Sequence, residues 1–193
     1  AGLYRAVTGF LADSFDRVLD PCSSEHAAVG RGPVVRARDR AGEAFGEYLA
    51  ERGTKSVDPK TAAFLVAAGT FAITGGDLLN VIADLGFQVR DGADGMTALR
   101  GQTQIVLASF LRLADRLDDT RSALLGGAGV SDGALRDAAL ASLRRWRDNP
   151  EEGQSAVAVI VAAEWVQQLG ELATDLEATV DRAVEEARVP WWR

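Results

Sequence analysis

The chain has 193 residues, 47% of them apolar and 25% charged, which suits one folded domain with a substantial core and excludes a disordered or collagen-like chain. Acidic residues outnumber basic ones by 28 to 21, and the net charge of −7 argues against a domain devoted to gripping nucleic-acid phosphates. A single cysteine, Cys22, and a single histidine, His26, exclude an intrachain disulfide framework, cysteine-based zinc clusters and the two-histidine metal sites of helical bundles.

Helical periodicity runs through almost the whole chain. Leu3, Val7, Phe10, Leu11, Phe15, Val18 and Leu19 form one apolar stripe, which Pro21 ends. After a small-residue loop over 22–32, a second helix is predicted from about Pro33 to Arg52, stopped by Gly53. Asp58 before Pro59 is a strong start signal for a third helix reaching about Leu85. That helix is apolar nearly all round over 62–73. Its charge-free run of 61–76 falls short of the ~20 residues a membrane span needs, so it reads as a buried core helix.

Beyond Gly86, Gly92 and Gly95, the residues Met96, Leu99, Thr103, Val106, Phe110, Leu113, Leu117 and Leu124 alternate at three and four, as in a bundle seam. A glycine-rich stretch over 126–129 ends it, Ser131 or Asp132 caps a helix to Arg147, and Asn149-Pro150 breaks that one. The last helix starts near Glu151 and carries Val157, Val161, Trp165, Leu169, Leu172, Leu176 and Val180 on one side. No segment alternates with period two. The expectation is an all-α fold: a single domain over 1–193 forming an antiparallel bundle of about six helices, four of them long.

Catalytic patterns are scarce. His26 lies in a small-residue loop near Cys22 and reads as a surface histidine, so no nucleophile–base pair is expected. Asp115, Asp118 and Asp119 are interleaved with Arg112, Arg116 and Arg121, as on a solvated charged face. A second acidic group is Glu171, Asp175 and Glu177. The 126–133 stretch lacks the preceding strand and the Lys-Ser/Thr ending of a phosphate loop.

Three polar residues follow apolar runs and are the candidate ligand-binding or coupling positions: Asp77, Asn80 and Glu164. A carboxylate buried there must find a partner or raise its pKa. The plainer alternative for each is an ion pair closing the core, or exposure at the edge of a stripe. No catalytic residue, metal site or cofactor is expected.

One stretch carries a family resemblance. Residues 36–58, through Tyr48-Leu49-Ala50-Glu51-Arg52-Gly53, and the helix ending in Asn80-Val81-Ile82-Ala83-Asp84-Leu85 resemble a segment of actinobacterial membrane proteins of the fusaric-acid-resistance-like (FUSC) family. The closing Pro190-Trp191-Trp192-Arg193 resembles the run that leads into the next membrane-spanning block of such proteins. The chain departs from the family where it has Gly75-Gly76-Asp77 in place of a basic residue in the apolar run.

The resemblance implies a non-enzymatic domain on the cytoplasmic side of the cell membrane, excised from between membrane-spanning blocks of an exporter, with an assembly or regulatory role. Its implied partners are the parent's membrane segments and further copies of the chain, not nucleic acid or metal. Trp191, Trp192 and Arg193 would be membrane-proximal, and Ala1 and Arg193 should lie at one end of the bundle. The alternative is a ligand-sensing helical bundle, the effector-binding part of a regulator, with an apolar pocket between its long helices.

Overall fold

The computed structural model describes residues 1–20, 30–51, 57–89, 96–118 and 129–188, with side chains through residue 183. Its six α-helices are α1 (Gly2–Leu19), α2 (Arg31–Ala50), α3 (Pro59–Asp84), α4 (Met96–Asp118), α5 (Asp132–Asp148) and α6 (Gly153–Arg188). A 3-10 turn, Pro150–Glu152, joins α5 to α6. The fold is all-α, and the four longest helices are α2, α3, α4 and α6.

The helix starts follow their capping chemistry. The Asp58 carboxylate accepts from the backbone N–H of Lys60 and Thr61 at 3.0 and 3.2 Å, with Pro59 in the first turn. Ser131, rather than Asp132, caps α5 by accepting from the Ala134 N–H at 3.4 Å. Asn149 caps the 3-10 turn. Gly86 takes φ +83°, the left-handed conformation that closes α3 and turns the chain so that the Val89 N–H donates to the Val18 carbonyl of α1.

Consecutive helices run in opposite directions, so the helices two apart in the chain are parallel. Leu3 and Phe10 of α1, seven residues apart, meet Gly69 and Gly76 of α3, also seven apart and in the same order. The pair α4 and α6 repeats this arrangement, since Arg112 meets Glu177 and Arg116 meets Asp181. The two parallel pairs face each other head to tail. Tyr4 stacks on Phe110 and Leu19 accepts from Arg100 across α1 and α4, while Trp165 of α6 packs on Phe71 and Gly75 of α3.

These four helices enclose one core of fully buried side chains, including Leu11, Phe15, Leu79, Leu99, Phe110, Leu113 and Leu169. Helix α2 lies outside against α1 and α3, and α5 outside against α4 and α6. The core is possible at this helix spacing because Gly69, Gly75 and Gly76 leave room for Leu3, Trp165 and Phe10.

Helix α3 departs from the all-round burial expected of it. Phe71, Leu78, Val81 and Leu85 are 42, 43, 52 and 65% exposed, because α1, α2 and α6 cover only three of its sides. By length and apolar content alone, α3 and the 150–183 segment are each sufficient to cross a membrane.

Candidate functional site

Of the sequence-predicted positions, Asp77 and Asn80 come together and Glu164 does not. Both lie on α3 in a groove of about 440 Å³ bounded by α1, α3 and the first turn of α2. The Asn80 amide donates to the Ser14 hydroxyl at 2.9 Å and accepts from the Arg17 guanidinium at 2.8 Å. Arg17 also pairs with Asp84, and Arg31 of α2 pairs with Asp77 at 2.8 Å. Ser14 is fully buried and donates to the Phe10 carbonyl, so its hydroxyl is satisfied in both senses.

The groove therefore holds a chain of polar contacts that ties α1 and α2 to α3. Each arginine is matched by an aspartate, and Asn80 bridges a buried hydroxyl to a surface cation. Because the ion pairs are largely exposed, their contribution to stability is small. Asn80 has the larger role, since it reaches the buried Ser14. Replacing it by alanine is expected to cost about 1 kcal/mol, a fall in Tm of about 2–4 °C in a thermal melt, through the lost hydrogen bonds.

Glu164 is a correction. It is exposed, with its carboxylate accepting from Gln168 at 2.7 Å. It sits about a quarter turn around α6 from Trp165, away from the buried side that carries Ala162, Ala163, Val166 and Leu169. An apolar run before a carboxylate places it on a helix without saying on which side.

The sequence reading missed Ser14, Arg17 and Arg31. Ser14 is a polar residue inside the apolar stripe of α1, a signal that could have been read. Arg17 and Arg31 carry no such signal, since their partners are 63 and 46 residues away.

A second cluster holds one end of the bundle. Arg5, near the start of α1, bridges Asp115 at 2.9 Å and also binds Asp118 at the end of α4. Arg112 donates to Ser109 and to Glu177 of α6, and the buried Arg116 lies 3.5 Å from Asp181. Thus Asp115 and Asp118 stay largely exposed, as the sequence implies, while meeting Arg5 of α1 across the helices. Close by, Tyr4 donates to the Leu65 carbonyl at 2.7 Å, and burial pushes its phenol pKa well above the usual value. A shallow cleft between the start of α3 and the end of α6, lined by Asp58, Lys60, Asp175 and Arg182, lies at this same end. The start of α1 and the last turns of α6 thus share one end of the bundle.

Several sequence-predicted positions lie outside the described residues: Cys22, His26, Asp119, Arg121, Leu124, the glycine-rich 126–128 stretch, and Trp191, Trp192 and Arg193. Among the described residues, no three histidine, cysteine or acidic side chains converge as metal ligands would.

Fold and site together define the class: an all-α bundle of two parallel helix pairs, with a chain of polar contacts joining α1, α2 and α3. No protein-family model matches the chain, and neither does any curated protein or solved structure at a significant level.

Proposed function

We propose that this chain is a non-enzymatic helical module of an exporter of the FUSC type, held on the cytoplasmic side of the cell membrane, where it assembles or regulates the membrane-spanning parts. The observation that carries this reading is the shared end of α1 and α6. Arg5 ties the start of α1 to Asp115 and Asp118, and Arg116 ties that same turn of α4 to Asp181 of α6. A module inserted between two membrane blocks needs its entry and exit to lie together, and six alternating helices meet that need. The likeness of residues 36–85 to the family supports the same reading.

The test is made on the parent gene product. Its translation is expected to contain apolar stretches of about 20 residues on both sides of this segment, and a tagged parent protein is expected to fractionate with membranes. A parent protein found wholly in the soluble fraction, or one carrying a DNA-binding helical unit instead, overturns the reading in favour of a ligand-sensing bundle.

A further inference from the structure

Two helices lie outside the four-helix core, α2 and α5, and their sequences equip them differently. Helix α5 starts on a capping side chain, Ser131, and carries Asp132 in its first turn and Arg145 and Arg147 in its last. Those charges match the partial charges at the two ends of a helix. Helix α2 has the reverse. Gly30, at its N-cap, has no side chain to accept a first-turn N–H, and no acidic residue stands in that turn. Arg31 occupies the positive end instead, while Glu47 and Glu51 stand at the negative end.

The interior of α2 adds to this weakness. Gly42 and Gly46 lower its helix propensity, and a Cβ at either would meet nothing within 4 Å, so no packing requires them. By contrast, Gly69 and Gly76 of α3 receive Leu3 and Phe10. Of the 20 residues of α2 only Val34 and Ala37 are buried, and over 42–50 the most covered, Phe45 and Tyr48, are half-buried. A helix of this length depends on tertiary packing for its stability, and here the packing is slight. The ion pair of Arg31 with Asp77 of α3 joins side chains that are 62 and 31% exposed, so it adds little. The Tyr48 hydroxyl donates to the Val57 carbonyl only nine residues away, before α3 begins.

From this we infer that α2 is a strap: it leaves α1 and α3 as one unit, opening the groove at Asp77 and Asn80, while the four-helix core stays folded. The inference is independent of the membrane reading above.

The core does not need α2 to hold α1 on α3. Leu3 against Gly69, Phe10 against Gly76 and the Asn80–Ser14 hydrogen bond join those two helices directly. The groove does need it, because Gly30 and Arg31 form one of its walls. Opening removes that wall and takes Arg31 away from Asp77, so the open groove gains a carboxylate without its cation. Helix α5 serves as the internal control. It buries a similar number of side chains, Leu135, Ala138 and Ser142, but its cap and end charges favour the helix.

Hydrogen–deuterium exchange of the 193-residue chain, followed by mass spectrometry over a urea series below the unfolding transition, tests this. Amides over 37–48 are expected to exchange together, about 100-fold faster than those in the middle of α3, α4 and α6, and with a shallower urea dependence. Exchange in α5 should be slower than in α2. Combining Gly42→Ala with Gly46→Ala should slow exchange in α2 by about 25-fold. A second measurement uses thiol reactivity in a Cys22→Ser background. Ala37→Cys should react about 100-fold faster than Ala114→Cys, which replaces a fully buried residue of α4.

Amides of α2 that exchange at the rate and urea dependence of α3 overturn the proposal, as does an Ala37→Cys chain no more reactive than the Ala114→Cys chain. Exchange in α5 as fast as in α2, or a double glycine variant that exchanges like the wild type, overturns the assignment of the opening to the cap, charges and glycines of α2.

Discussion

Replacing Phe110 with alanine is expected to destabilise the protein by about 4 kcal/mol, the typical cost of removing a fully buried phenylalanine from a close-packed core. Phe110 has no exposed surface and sits where α4 crosses α1, with its ring 6.1 Å from that of Tyr4 and 20° from parallel to it. Truncation removes that stacking and leaves a cavity lined by α1, α4 and α6. The close-packed helices around it relax only in part, so most of the cavity remains. For a chain of this size the fall in Tm should be roughly 8–16 °C, read from the loss of helical circular dichroism on heating. A fall of less than about 3 °C would mean that the α1–α4 contact is not part of the cooperative core.

Gly76→Val is expected to act in the opposite sense, by overfilling, with a cost of about 3 kcal/mol. A Cβ at position 76 would lie 2.5 Å from Phe10 Cε1, 2.9 Å from Phe10 Cδ1 and 3.2 Å from the Ser14 hydroxyl. Phe10 is itself buried and cannot swing aside, so α1 and α3 must move apart. That movement also lengthens the Asn80–Ser14 bond four residues further on. The smaller Gly76→Ala should cost less, because alanine recovers about 1 kcal/mol of helix propensity. Urea titration of the three proteins should therefore rank them wild type, alanine, valine in falling midpoint. Valine at or above the wild-type midpoint would contradict the close parallel contact of α1 and α3.

The elements were largely legible in the sequence, because their signals are local. Stripes at three- and four-residue spacing marked α1, α4 and α6, an apolar run marked α3, and proline, glycine and capping signals marked α2 and α5; Asp58-Pro59 and Ser131 marked starts, and Asn149-Pro150 a break, that depend only on neighbouring backbone groups. The all-α class followed from the same periodicity. Asp77 and Asn80 were found because polar residues after an apolar run are rare enough to stand out.

What the sequence could not determine was which helices face each other, since that depends on contacts far apart in the chain. The parallel pairing of α1 with α3 rests on Gly69 and Gly76 receiving Leu3 and Phe10, a fit between surfaces that neither segment displays alone. The partners of Asp77 and Asn80, namely Arg31, Arg17 and Ser14, were set by that pairing. The exposure of Glu164 was decided by which side of α6 meets its neighbours, and so was the half-covered face of α3. An apolar residue has the same hydropathy whether a neighbour covers it or water does, so only the tertiary arrangement distinguishes Leu79 in the core from Leu78 on the surface.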